Sequence, residues 1–167
     1  MKINPNFSCI GAILVSLMFA VPVLMAEDAP PAPAAAKPDF GDFTSQTLAT
    51  KSWGALEAKK YDDLKAYVAK CRELYEAKAV EMQKSLTEPA AKEKANEYWA
   101  LNDVGTCCFI LAKSLDAQGK KVEAIAAYKE VADKFSFAQC WDPKGWFWKP
   151  AEAAKDRLKE LEFETAK

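Results

Sequence analysis

Residues 107–135 read CCFILAKSLDAQGKKVEAIAAYKEVADKF, and their periodicity decides the fold class. Val104, Cys108, Leu111 and Leu115 recur at the spacing that lines one face of an α-helix. Ala124, Tyr128, Val131 and Phe135 repeat that spacing beyond a joint at Asp116-Ala117-Gln118-Gly119-Lys120-Lys121. Gly119 can adopt the left-handed conformation that ends a helix without a Cβ penalty, so the stretch predicts two antiparallel helices joined at a glycine.

This hairpin resembles a tetratricopeptide repeat, a helix-turn-helix unit of about 34 residues. Leu111 and Ala112 stand at the family's large-small pair, Leu115 at its next large position and Gly119 at its turn glycine. Ala124 stands at the small residue where the helices approach, and Tyr128 at the later aromatic. The resemblance implies an all-α fold of antiparallel helical hairpins, of α-solenoid type, that presents surfaces to other molecules. It names no ligand.

Working outward, Leu64, Val68, Cys71 and Tyr75 repeat the stripe, and Lys59-Lys60-Tyr61-Asp62-Asp63 occupies the place of a second hairpin turn. The match is looser there, because Lys59 replaces the glycine and the helix near Thr47 to Ala58 lacks the large-small pair. Asp62 and Asp63 suit the positive end of a helix. One uninterrupted helix from Ser45 to Leu86 is the alternative. Lys59 and Gly119 lie sixty positions apart, more than one repeat allows. A long second helix to Leu86, followed by a separate helix opened by Thr87-Glu88-Pro89, would take up the excess. Asn102-Asp103 is the expected cap of the next helix. Pro150 is expected to open a last helix, with Ala154, Leu158 and Leu161 on one face, capping the open end of the solenoid.

The 167 residues, half of them hydrophobic, suffice for one domain with a substantial core, expected over 44–167. A net charge of -1 leaves no electrostatic footprint for nucleic acid or an anionic membrane surface. Upstream, Lys2, the apolar run Ile10 to Ala20 and the stretch Pro22 to Ala26 read as a secretory signal over 1–26, cleaved after Ala26. The protein is then exported to the periplasm or beyond, with no membrane insertion after cleavage. An uncleaved anchor in the inner membrane, facing the periplasm, is the alternative. Residues 27–43 read as a Pro/Ala-rich linker, either a stalk or a leader without a role.

The chain has no histidine, which removes the commonest general base and every imidazole metal motif. No phosphate-cradling glycine loop follows a strand. Pairs such as Asp62 with Asp63, or Glu160 with Glu162, read as solvated helix faces. No catalytic residue, metal or cofactor is therefore assigned.

Four cysteines lie beyond the signal, and the hairpin geometry brings Cys140 toward the start of its first helix. A disulfide from Cys140 to Cys107 or Cys108, with Cys108 preferred, is the expectation, and Cys71 is expected to be an inert core residue. The aromatic run Trp141, Trp146, Phe147 and Trp148 has two readings. One is a hydrophobic plug between the hairpin and the last helix, with two of the three tryptophans buried and one exposed. The other is an exposed patch that recognises a peptide or stacks on sugar rings.

The function expected from all this is an exported, non-catalytic module for protein-protein interaction or assembly in the cell envelope. By resemblance, the partner would lie near Asn102, Thr106 and Lys113. A carbohydrate- or wall-binding accessory module using the Trp141 to Trp148 run is the alternative.

Overall fold

The structure, a computed structural model, describes residues 37–142 and 144–165. It is mostly helical, with one two-stranded sheet. The helices are α1 (Ser45–Glu57), α2 (Tyr61–Lys84), α3 (Trp99–Ala117), α4 (Lys121–Lys134) and α5 (Pro150–Thr165). A 3-10 helix (Lys92–Tyr98) runs directly into α3, and strands β1 (Cys140–Asp142) and β2 (Trp146–Trp148) form a hairpin between α4 and α5. The expected signal over 1–26 lies outside the described residues. Among the described residues no helix is long and apolar enough to cross a membrane.

Helix α1 starts where the Thr44 hydroxyl accepts the Thr47 amide at 3.2 Å. Its buried side carries Leu48, Ser52 and Ala55, and the buried Ser52 hydroxyl is satisfied by the Leu48 carbonyl at 2.7 Å. Lys59 then takes φ 55, the left-handed region, and α2 begins. The second joint repeats this geometry: Gly119 has φ 71. Lys60 and Lys120 share nearly the same backbone, φ -84 with ψ 71 and φ -82 with ψ 67. Their amides reach back to Ala55 and Leu115 at 2.8 and 3.0 Å. Two hairpins of the same design thus stand sixty positions apart, and Lys59 carries the strain that Gly119 avoids.

Helix α2 continues to Lys84, two residues short of the expected Leu86, and no single helix spans Ser45 to Leu86. The separate helix expected at Thr87-Glu88-Pro89 does not form. That stretch is non-helical, and the 3-10 helix starts only at Lys92. Nor do Asn102 and Asp103 cap α3, which begins at Trp99 and places both inside the helix. The domain also reaches further upstream than Thr44. Phe40 packs on Phe43 and Tyr67, with ring centroids 5.7 and 5.8 Å apart, and Lys51 pairs with Asp39 at 3.0 Å.

Helix α3 is the centre of the core. Leu101, Val104, Cys107, Ile110 and Ala112 are fully buried, so apolar residues line it on more than one side. It packs against α1, α2, α4 and α5. The stripe read from sequence is only part of this. Val104 and Cys108 are buried, while Leu111 and Leu115 are half-buried. Across from it Ala124, Tyr128, Val131 and Phe135 are buried together, each large ring or aliphatic chain contributing roughly 1.5–3 kcal/mol.

Ion pairs lace the outer helices. Arg72 on α2 holds both Glu76 and Glu130 at 2.7 Å, and Lys134 closes the set on α4. Arg157 on α5 grips Asp116 with two hydrogen bonds of 2.6 and 3.0 Å. Helix α5 opens at Pro150 and buries Ala151, Ala154, Leu158 and Leu161.

The two joints are expected to respond in opposite directions. Lys59→Gly relieves the left-handed strain but loosens the unfolded chain, for a net gain of about 0.5–1 kcal/mol. Gly119→Ala imposes that strain and is expected to cost about 1 kcal/mol, since no atom lies within 4 Å of the added Cβ to clash. Urea unfolding of both variants measures this, and a loss of stability in Lys59→Gly would contradict the turn conformation.

Candidate functional site

The hairpin after α4 is placed by a close approach and a buried amide. A Cβ on Gly105 would stand 2.8 Å from the Cβ of Ala138, so only glycine lets the chain lie this close to α3. The Asn102 side chain then clamps that segment. Its oxygen accepts the Gln139 amide at 2.8 Å, and its nitrogen donates to the Ala95 carbonyl at 2.8 Å. Thr106 donates to the Asn102 carbonyl at 2.8 Å and shares a 2.7 Å hydrogen bond with the Cys140 thiol. Asn102 and Thr106, expected to be presented to a partner, are largely buried and hydrogen-bonded within the fold, yet Thr106 reaches the wall of one depression along α3 and Asn102 that of another. Of the three, Lys113 is exposed, with its ammonium 5.8 Å from the Trp53 ring centroid.

Strands β1 and β2 pair antiparallel, Cys140 with Trp148, Trp141 with Phe147 and Asp142 with Trp146. The turn closes with the Gly145 amide on the Asp142 carbonyl at 2.9 Å, and Gly145 at φ 103. Trp148 faces the helices, its ring 4.9 Å from Phe109 and 6.2 Å from Trp53. Trp141 packs across the pair on Phe147 at 5.3 Å. The aromatic run is therefore not a plug between the hairpin and α5. Trp141 and Trp146 are 51% and 50% exposed and only Trp148 of the three turns inward, the reverse of the expected two buried and one exposed. Two-residue alternation turns Phe147 and its cross-strand partner Trp141 to the face opposite Trp148, while Trp146 shares the Trp148 face but sits at the turn end of the hairpin, half exposed.

Two depressions adjoin along α3 and share Cys140 and Trp141. The first, of about 370 Å³, is walled by Trp53, Phe109 and Trp148, with Lys113 and Asp142 at its polar margin. The second, of about 520 Å³, is lined by Gln46, Asn96, Trp99, Asp103 and Gln139. Trp53, Phe109 and Trp99 were not singled out from sequence, and Asp103 only as part of a helix cap. One signal was present: Asp103 is the only charged residue between Tyr98 and Ala112.

The expected link between Cys108 and Cys140 is absent, and all four described cysteines are free. Cys140 lies beside Thr106, and two residues along a helix turn roughly 200°, so Cys108 points away from it. Cys108 instead lies close to Arg72, Glu76 and Glu130, on the side of α2 and α4. Burial pushes the Cys108 and Cys140 thiols up to about 12, and Cys107 rises through its hydrogen bond to Cys71 and through burial. None of these three is an activated nucleophile. Among the described residues no group of three or more His, Cys, Asp or Glu side chains gathers as a metal site.

Asp103 is raised above the ordinary carboxyl value by burial, partly offset by the Ser45 hydroxyl, which donates to it at 2.5 Å. Comparison with family models, curated proteins and solved structures finds no match to this chain.

A raised carboxyl pKa means that the folded state holds the proton more tightly than the unfolded chain. The Asp103 contribution is therefore most favourable in acid and is lost as pH rises through its folded pKa. Asp103→Asn is expected to melt higher than the parent at pH 7, with the difference shrinking toward pH 3. Melting curves across that range check it, and a lower melting temperature at pH 7 would contradict the direction.

Proposed function

We propose that this chain is a non-catalytic, tetratricopeptide-like module that binds an extended segment of a partner protein along the face shared by α1, α3 and the β-hairpin. Support for the repeat reading comes from the two joints at Lys59 and Gly119, which share one backbone geometry. It comes also from the neighbour pattern, in which α1 and α3 pack side by side, α2 bridges them, and α5 follows α4 as a capping helix would. With two hairpins the groove is short, which suits one anchor segment or an assembly contact.

The observation that carries the reading is the first depression. Trp53, Phe109 and Trp148 come from three separate elements and converge on an open apolar hollow with Lys113 at its edge. Aromatic walls with a few polar groups at the margin suit an apolar side chain followed by a polar one. The absence of histidine and the raised thiols favour binding over catalysis. The signal-like pattern of residues 1–26 supports a site of action in the cell envelope, in the periplasm or outside.

Carbohydrate or cell-wall binding is the second reading, and the half-exposed rings of Trp141 and Trp146 favour it. Each such ring could stack on a sugar face.

Peptide phage display on the purified full chain tests the first reading. Selected peptides are expected to bind Trp53→Ala about tenfold or more weakly than the parent, as loss of a pocket-forming aromatic usually does. Unchanged affinity in that variant would remove the groove as the site. Co-sedimentation with insoluble cell wall, abolished by Trp146→Ala, would support the second reading in its place.

A further inference from the structure

Several partly buried carboxylates of this domain have cationic partners, whereas among the described residues Asp103 in the second depression has none. Glu76 and Glu130 share Arg72 and Lys134, and Asp116 is held by Arg157. Asp103 accepts the Ser45 hydroxyl, and among the described residues no Lys or Arg acts on it. A desolvated carboxylate without a counter-charge destabilises the folded state, so this position awaits a positive group that the fold does not supply.

The surroundings specify what that group would meet. Trp99 and Trp141, 44% and 51% exposed, flank the same cleft. The side-chain amides of Gln46 and Asn96 make no hydrogen bond within the described residues, and Gln139 uses only its nitrogen, on the Ala90 carbonyl. Lys92 lies 5.4 Å from the Trp141 centroid and lines a neighbouring hollow that shares Asn96 and Trp141 with this cleft, but it does not reach Asp103.

We infer that the Asp103 cleft receives a basic side chain of the bound partner segment, arginine in preference to lysine. This rests on the reading of the chain as a peptide-binding module. A guanidinium is planar, weakly hydrated and always charged, so it can stack on an exposed indole while its forked donors meet a carboxylate and amide oxygens. A sugar could use the same rings and amides, but it would leave Asp103 without its counter-charge.

The test uses the full chain and indole NMR signals of Trp99 and Trp141, titrated with acetyl-arginine amide, its neutral isostere acetyl-citrulline amide, and methyl glycosides. The arginine probe is expected to shift both indoles and the citrulline probe to leave them in place. Asp103→Asn is expected to weaken the arginine probe about tenfold or more, while Asp156→Asn on the exposed side of α5 leaves it unchanged. Trp99→Ala is the second variant, with an expected loss of about three- to tenfold. Equal shifts by citrulline, shifts by glycosides alone, or full affinity in Asp103→Asn would each overturn the inference. Phage-selected peptides separate the two claims. Peptides that need the Trp53 groove but tolerate citrulline for arginine would sink the cleft and leave the groove. An arginine probe that binds where no peptide is selected would do the opposite.

Discussion

The contact at Gly105 is the constraint on which the rest of this domain depends. A Cβ there would meet Ala138 at 2.8 Å and the Cβ of Phe135 at 3.3 Å, so the chain leaving α4 can lie against α3 only because nothing projects from that position. Once the segment is down, Asn102 fixes it by joining Gln139 to Ala95, and Cys140 settles on Thr106. These polar groups are buried and satisfied, which is the condition for placing them beside an apolar core. The hairpin of β1 and β2 is aimed by that clamp, and so are both depressions that it borders.

The two helical hairpins show how one backbone geometry can be reached from unequal sequences. Gly119 takes a left-handed conformation freely, whereas Lys59 takes it under strain, and the following lysine and the back-bonded amide match in both joints. Packing decides the outcome at Lys59. Leu48, Ser52, Leu64, Val68 and Cys71 are buried around the first joint as Cys108, Ala112, Ala124, Tyr128 and Val131 are around the second. That burial outweighs the roughly 1–2 kcal/mol that a side chain costs there. The extra length between the joints is absorbed by a longer α2, a non-helical stretch and the 3-10 helix.

Ion pairs tie the helices together, but among the described residues none reaches Asp103. Arg72, Lys134 and Arg157 neutralise the partly buried acids that tie α2 to α4 and α5 to α3. Asp103 stands inside α3 with a serine hydroxyl as its side-chain partner. A stability-driven sequence would place an amide there, so the stability of the scaffold does not account for the carboxylate. The cleft around it is open, since Trp99 and Trp141 keep about half their surface in solvent.

The sequence by itself determined the helical class, the joint at Gly119, a long α2 and the start of α5 at Pro150, because periodicity, glycine and proline act locally on the backbone. It also marked Lys113 and the aromatic run as features to explain, though not their roles. The tertiary structure alone decided which face each side chain met. Asn102 and Thr106 look like surface polar groups in sequence, yet the segment after Phe135 folds over them and takes up their hydrogen bonds. Cys108 shares the apolar stripe and still points away from Cys140, because rotation around the helix places the two thiols on different sides of α3. Trp53, Phe109 and Trp148 are far apart in the chain, and their convergence depends on how α1, α3 and β2 pack. Contacts of that kind depend on the arrangement of distant elements, which no local pattern of residues specifies.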